Sequence, residues 1–188
     1  MQAYGREWWE THYGDRVYKP PPWSPVHYRA TSENLKHQTV LDVGCGEGWF
    51  SEYVRHYIGV DWSKTVIKRA QKRFQRAVFM SIDYRELVGN IKVDWVTSFE
   101  MFEHMPEPKK FIADLLSMAR TGVMFALPRG DWGREVVEND REYFTGLHDG
   151  AYKYHYATYV PVDIQSMFPT ATEIPVDTRH MMWMIKCR

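Results

Sequence analysis

The segment that decides the fold reads Leu41-Asp42-Val43-Gly44-Cys45-Gly46-Glu47-Gly48-Trp49-Phe50. A short apolar run ends here in three glycines at alternate positions, and a helix is predicted to begin near Glu47. Gly44 and Gly46 allow a tight turn and a close approach of the backbone to a ligand, while the N-terminus of the helix offers free N–H groups. In open α/β sheets this end of a strand is where ligands bind. The segment therefore predicts a nucleotide-like ligand.

Short apolar runs alternate with amphipathic helical patterns along most of the chain. Strands are predicted at 39–43, 57–60, 77–80, 93–98 and 122–127. The helical stripes between them consist of Val66, Ile67, Ala70 and Phe74, and of Phe111, Ile112, Leu115, Leu116 and Ala119. A further helix at 161–168 and two strands near 172–176 and 180–186 complete the pattern. Alternating strands and helices predict a doubly wound α/β fold with a mostly parallel sheet that is covered on both faces.

Composition restricts the class of protein. The chain has 188 residues, 24 Lys and Arg against 24 Asp and Glu, and a formal net charge of zero. This length predicts one domain, and the charge balance argues against a strong non-specific polyanion binder, so a nucleic-acid partner is disfavoured although a local basic patch is still allowed. Two cysteines fit a reduced, cytoplasmic location. No stretch approaches the roughly 20 apolar residues that span a bilayer, and no signal peptide is evident.

The N-terminal region differs from the rest. Residues 1–36 are irregular and aromatic, and Pro20, Pro21 and Pro22 follow one another. Consecutive prolines fix φ and remove backbone donors, so the run at 19–25 is predicted to be an extended connector rather than a helix. Its large aromatic side chains predict an arm that packs on the main body, either over a pocket or as a plain structural wrap.

An acid at the end of the second strand supports the nucleotide interpretation. Asp61 follows Gly44 by 17 positions, where a carboxylate can accept hydrogen bonds from both hydroxyls of a ribose. A dinucleotide dehydrogenase would use the same acid, but its fingerprint needs a third glycine three positions after the second. That position is Trp49, which is bulky, so NAD binding is disfavoured.

The order strand, Asp-x-Gly-x-Gly-x-Gly, helix, strand, Asp resembles the class I S-adenosylmethionine-dependent methyltransferases over about residues 40–127. The resemblance implies a Rossmann-like, seven-stranded sheet whose C-terminal hairpin is antiparallel. It implies a single domain in which residues 1–38 form the arm, 39–127 the cofactor-binding core, 128–160 a substrate-covering insert and 161–188 the final helix and strand pair.

The same resemblance assigns cofactor contacts to particular residues. The glycine loop would lie against the methionine part of S-adenosylmethionine, Asp61 would hold the ribose and Trp62 would lie beside the adenine. Asp83 would meet the adenine amino group, Phe99 the adenosyl group and Arg29 the cofactor carboxylate. The predicted cofactor contacts are Arg29, Gly44, Cys45, Gly46, Asp61, Trp62, Asp83 and Phe99.

The segment after the fourth strand, residues 98–108, contains Glu-x-x-Glu-His at 100–104. It resembles a segment of the ubiquinone-biosynthesis-type O-methyltransferases and of RNA 3′-terminal 2′-O-methyltransferases, in which these side chains are associated with a divalent metal. Because positions i and i+3 share a helix face, Glu100 and Glu103 can converge beside His104 on an ion such as Mg²⁺. His155 is the candidate fourth ligand and His148-Asp149 the alternative. Without a metal, His104 is the best candidate for a general base.

Three functions therefore stay open. The first is O-methylation of a small molecule, which the resemblance to the ubiquinone branch favours. The second is RNA 2′-O-methylation with a divalent metal, and the third is a non-catalytic module that binds the cofactor. The oligomeric state is not predicted.

Overall fold

The computed structural model describes residues 10–11, 24–33, 35, 37–129, 159–176 and 180–187. One seven-stranded sheet carries the molecule. Its strands are β1 (Thr39–Val43), β2 (His56–Asp61), β3 (Val78–Ser81), β4 (Val93–Phe99), β5 (Ala119–Pro128), β6 (Thr172–Ile174) and β7 (His180–Lys186). The helices are α1 (Ser24–Ser32), α2 (Lys64–Arg73), α3 (Pro108–Met118) and α4 (Pro161–Met167). Short 3-10 helices occupy Trp49–Glu52, Tyr84–Leu87 and Phe102–His104.

The strand order is β3-β2-β1-β4-β5-β7-β6. Strands β1 to β5 pair in parallel, whereas β7 runs antiparallel to both β5 and β6. The predicted mostly parallel sheet and its antiparallel C-terminal hairpin are thus confirmed. The carboxyl ends of parallel strands meet at one edge of the sheet, which is the edge where ligands bind in such folds. The last residues of β1 to β4 lie at this edge: Val43, Asp61, Ser81 and Phe99.

Each face of the sheet carries its own apolar core. On one face α3 contributes Phe111, Ile112 and Leu115, which are buried with Phe125 and Trp183. The other face buries side chains of α2 and of the segment after β1, among them Phe50, Val66, Ile67, Ala70 and Phe79. The amphipathic stripe of α2 predicted from the sequence therefore faces the core as expected.

Three local predictions are wrong. The predicted helix near Glu47 is a 3-10 helix that begins at Trp49, because Gly48 has a φ of 76° and cannot continue a right-handed helix. The run at 19–25, predicted to be extended, passes into a helix, since α1 begins at Ser24 with Pro25 in its first turn, where the missing N–H has little cost; the three consecutive prolines lie outside the described residues. Ala119 begins β5 instead of extending α3.

None of the helices in the described part of the chain has the length and apolar character needed to cross a membrane.

Candidate functional site

The glycine loop after β1 turns back against β2. The N–H groups of Gly44 and Cys45 both donate to the carbonyl oxygen of Val60, at 2.9 and 3.0 Å. Gly44 has a φ of 75°, and a Cβ there would lie 2.3 Å from Cγ of Met101. Gly46 also has a positive φ, 52°, but a Cβ there would meet no atom within 4 Å. The loop is therefore packed at Gly44 and open at Gly46.

Asp61 lies at the end of β2, directly beside this loop. Its Oδ2 accepts a hydrogen bond from the Gly46 N–H at 3.1 Å, and its Oδ1 accepts one from the Ser63 N–H at 2.9 Å. Burial raises the pKa of Asp61, although both backbone donors oppose that rise. A carboxylate has about four acceptor positions, so Asp61 can take further donors such as ribose hydroxyls.

A buried carboxyl group lies one strand away, beneath the loop. Asp42 on β1 is 2% exposed, and it accepts hydrogen bonds from the Tyr57 hydroxyl at 2.6 Å and from the Thr97 hydroxyl at 2.8 Å. Burial raises the pKa of Asp42 to about 7 despite these two donors. Burial also raises the pKa of the Cys45 thiol, and the nearby charges of Asp61 and Asp42 raise it further.

Trp62 and Asp83, the residues predicted to meet the adenine, lie close to each other and to Arg85. The Arg85 guanidinium Nε lies 3.0 Å from both oxygens of Asp83, and its Cζ is 5.5 Å from the centre of the Trp62 ring. Burial would raise the pKa of Asp83, but the hydrogen bonds from Arg85 outweigh it and the pKa is lowered. An adenine amino group at Asp83 would have to share the carboxylate with Arg85.

Phe99 ends β4 and packs edge-on against Phe50, with ring centres 5.0 Å apart. Tyr28 of α1 packs edge-on against Phe99 with ring centres 5.2 Å apart, so α1 lies close to this strand end. Arg29 is the next residue of α1 and is exposed. The structure thus brings Phe99, the glycine loop and Asp61 to one edge, with Arg29 on the helix nearby.

The Glu-x-x-Glu-His segment does not form one helix, contrary to the sequence prediction. Glu100 precedes the 3-10 helix with a φ of 55°, and its N–H donates to the Ala126 carbonyl at 2.9 Å. Glu103 lies within the 3-10 helix, is 2% exposed, and burial raises its pKa to about 8. The argument from i, i+3 spacing therefore fails, because the left-handed backbone at Glu100 separates it from the helix that holds Glu103 and His104.

The predicted metal set is only partly described. Within the described ranges, no group of three or more His, Cys, Asp and Glu side chains is arranged to hold a metal ion. His155, the alternative His148-Asp149 and most of the predicted insert at 128–160 lie outside the described residues, as does most of the arm. Glu100, Glu103, His104 and His155 as metal ligands stay a prediction.

Two acidic residues near the loop were not singled out from the sequence. Glu47 is buried between Arg69 and Arg73 of α2. Glu10 of the arm accepts hydrogen bonds from the N–H and hydroxyl of Thr65, at 3.2 and 2.8 Å. The position of Glu47 between two glycines is the one sequence feature that marks it. Its ion-pair partners, Arg69 and Arg73, lie 22 and 26 positions away, and no local sequence pattern connects them to it.

The residues at this edge fit S-adenosylmethionine. The open space above Gly46 admits a ligand that approaches the backbone closely, and Asp61 beside it is an acceptor suited to ribose hydroxyls. Carboxyl groups at Asp61 and Asp83 also suit a cofactor that carries a positive sulfonium charge.

The sequence of this chain is similar to those of known methyltransferases. The family model described as a methyltransferase domain matches residues 41–127. A ubiquinone biosynthesis O-methyltransferase of Pseudomonas fluorescens is 29% identical over 136 residues, which cover 65% of this chain and 57% of that protein. A probable S-adenosylmethionine-dependent methyltransferase of Mycobacterium tuberculosis is 27% identical over 100 residues, covering 50% of this chain and 36% of that protein. The chain thus spans from about a third to little more than half of the length of these relatives.

Solved structures share the fold. The plantazolicin methyltransferase BpumL, in complex with a triazolic desmethylPZN analog and SAH, superposes with a TM-score of 0.67 at 15% identity, covering 95% of this chain and 89% of that chain. The magnesium protoporphyrin IX methyltransferase of Synechocystis gives a TM-score of 0.63 at 20% identity, covering 94% and 92%. With the strand order and the glycine loop, these matches show that the chain has the fold of these methyltransferases and that residues 41–127 match a methyltransferase domain.

Proposed function

We propose that this protein transfers a methyl group from S-adenosylmethionine to a hydroxyl oxygen of a small molecule. The observation that carries the proposal is that the open glycine loop lies directly beside Asp61, since the Gly46 N–H donates a hydrogen bond to the Asp61 carboxylate. The similarity to ubiquinone biosynthesis O-methyltransferases supports oxygen as the acceptor atom.

The chain's own residues would hold the cofactor in three parts. The loop from Gly44 to Gly46 would lie along the methionine part, Asp61 would accept hydrogen bonds from the ribose, and Trp62 with Asp83 would border the adenine. When bound, the cofactor supplies an electrophilic methyl group. The protein's task is to align the acceptor and exclude water, which contributes on the order of 7–11 kcal/mol in well-oriented reactions.

His104 is the residue that we assign to the acceptor. It ends the 3-10 helix that follows β4 and is half-buried near the carboxyl edge of the sheet. A ring nitrogen of His104 would take the proton of the acceptor hydroxyl, and general bases of this kind contribute about 10²–10⁴-fold in rate. Should a divalent ion such as Mg²⁺ be used, Glu100, Glu103 and His104 would be its ligands, with His155 as a fourth.

RNA 2′-O-methylation is the second candidate, and one surface feature favours it. Four cations lie four residues apart along the exposed side of α2 and just beyond it, at Lys64, Lys68, Lys72 and Arg76. No acidic residue interrupts 64–76. Such a row can neutralise backbone phosphates, so RNA binding would weaken steeply with added salt, whereas a small uncharged acceptor would be nearly indifferent to salt.

We also propose the domain division predicted from the sequence. Residues 39–127 would bind the cofactor, 1–38 and 128–160 would form the arm and the substrate cover, and 161–188 would complete the sheet.

The test is a methyl-transfer assay with labelled cofactor, a panel of phenolic and catecholic acceptors, and a short RNA with a free 2′-hydroxyl. We expect transfer to a small hydroxyl acceptor, with His104→Ala reducing kcat by about 10²-fold or more because the base is lost. His56→Ala is the matched control, since His56 is exposed at the start of β2. Transfer to RNA alone would favour the second candidate, and cofactor binding without transfer to any acceptor would favour a non-catalytic module. A chelator tests the metal, because unchanged activity would remove the ion from the mechanism.

A further inference from the structure

Glu47 is the one charged residue within the glycine loop at 44–48, and it is buried. Its side chain is 1% exposed and lies between two arginines. Oε1 is 3.3 Å from an Nη atom of Arg69, and Oε2 is 2.6 Å from an Nη atom of Arg73. A carboxylate that is removed from water is tolerated when such charged donors satisfy it.

Both arginines belong to α2, and they are four residues apart, so they lie on one side of that helix. The helix begins three residues after Asp61. Glu47 therefore connects the loop that would hold the methionine part of the cofactor to the element that follows the ribose acid. The bond from the Gly46 N–H to Asp61 is a direct link between the same two segments.

The loop needs such an anchor because of its composition. Gly44, Gly46 and Gly48 all have positive φ angles, and glycine loses more conformational freedom on folding than any other residue. Arg73 strengthens the anchor, since its guanidinium also lies 4.2 Å from the ring centre of Trp49, the residue directly after the loop. An arginine that pairs with a carboxylate and stacks on a ring in this way is fixed in orientation.

We propose that Glu47 is a positioning residue for the cofactor. Through its ion pairs with Arg69 and Arg73, it fixes the position of the glycine loop relative to Asp61. This inference rests on the proposed function, because it concerns the same cofactor. Glu47 acts through the loop backbone and is not itself a catalytic residue.

Glu47→Gln keeps the size of the side chain and removes its charge, so it tests the proposal in the intact chain. We expect the Kd for S-adenosylhomocysteine to rise about ten-fold, since a displaced loop no longer matches the ligand. The KM for S-adenosylmethionine should rise in parallel, while kcat at saturating cofactor stays within about two-fold. A merely structural role would lower the unfolding midpoint without this split between KM and kcat.

Asp114→Asn is the matched control, because it removes the carboxylate of an ion pair with Lys110 on α3, away from the loop. Arg69→Gln and Arg73→Gln keep Glu47 and carry the test even if Glu47→Gln fails to fold, and each should weaken binding of S-adenosylhomocysteine. The double variant Glu47→Gln/Arg73→Gln should bind no worse than Glu47→Gln alone, because the two act as one unit.

The outcomes separate the two proposals. If the unmodified protein does not bind S-adenosylhomocysteine, the proposed function fails and the role of Glu47 fails with it. If it binds, and Glu47→Gln and both arginine variants bind equally well, only the role of Glu47 is overturned.

Discussion

At the scale of single residues, Asp42 is a buried carboxyl group with two hydroxyl partners. Its carboxyl group is enclosed between β2 and β4, and the hydroxyls of Tyr57 and Thr97 are its hydrogen-bond donors. These neutral donors satisfy the group but do not offset the loss of solvation on ionisation, which is why burial dominates and raises its pKa to about 7. The Asp61 charge acts in the same direction.

This environment makes stability depend on pH. The folded-state pKa lies above the ordinary value of 3.8, so the folded protein holds the proton more tightly than the unfolded chain does. The contribution of Asp42 to the free energy of unfolding is therefore complete below about pH 4 and is lost as the pH rises through 7. At 1.36 kcal/mol per pKa unit, the loss is at most about 4 kcal/mol.

Asp42→Asn should remove this dependence, since an amide does not titrate and can still pair with both hydroxyls. In urea titrations, the free energy of unfolding of the variant relative to the unmodified protein should increase by a few kcal/mol between pH 5 and pH 8. Glu86→Gln, an exposed carboxylate outside the network, is the control. The same difference at both pH values would contradict the assigned environment of Asp42.

At the scale of elements, two glycines of the loop differ in the space around them. Gly44 and Gly46 both have left-handed φ angles, but a Cβ would strike Met101 at Gly44 and nothing at Gly46. Gly44 is thus required by packing as well as by conformation, whereas the space at Gly46 is free for a ligand. The two alanine substitutions should therefore have different consequences.

Gly44→Ala should lower the free energy of unfolding by about 2 kcal/mol or more, because steric overlap adds to the backbone cost. Gly46→Ala should cost only about 1–2 kcal/mol. The folded Gly46→Ala protein should nevertheless bind S-adenosylhomocysteine at least about ten-fold more weakly, since the new methyl group occupies the space of the ligand. Urea unfolding and calorimetry measure the two effects separately. Equal affinity in Gly46→Ala and the unmodified protein would mean that the ligand does not approach the loop there.

Elements with strong periodicity were predictable from the sequence, and short or non-local ones were not. The parallel strands follow from short apolar runs, and the stripes of α2 and α3 follow from apolar residues at helical spacing. The observed bounds differ from the predicted ones by few residues. The helix α1 was missed because the prolines before it dominate the composition, although Pro25 suits a first helical turn.

The candidate site shows the same limit. Asp61 was recognisable because a strand end and a glycine loop place it in a known position. The anchoring of the loop by Glu47 was not, since it depends on residues of another element that packing alone brings close. The position of Glu100 depends on a left-handed backbone conformation, which could not be predicted from the sequence because glutamate rarely adopts it.

At the scale of the whole molecule, the net charge of zero conceals an uneven distribution. Asp61 is the last residue of β2, and Asp83 and Glu100 follow β3 and β4, so these three acids lie along the carboxyl edge of the sheet. The basic row of α2 is on its solvent side, opposite the buried Val66, Ile67 and Ala70. A locally negative edge favours a cationic cofactor over its neutral product, while the neutral total gives little long-range attraction for polyanions.

Calorimetric titration of the unmodified protein with S-adenosylmethionine, repeated with Asp61→Ala, tests the central claim most directly. We predict saturable binding to a single site in the unmodified protein. In Asp61→Ala the binding free energy should be weaker by about 1.5–3 kcal/mol or more, because charged hydrogen bonds to the ribose are lost. Asp94→Ala, which removes a carboxylate at the other end of the parallel strands, should bind as the unmodified protein does. Absence of binding, or equal affinity in Asp61→Ala, would contradict the account.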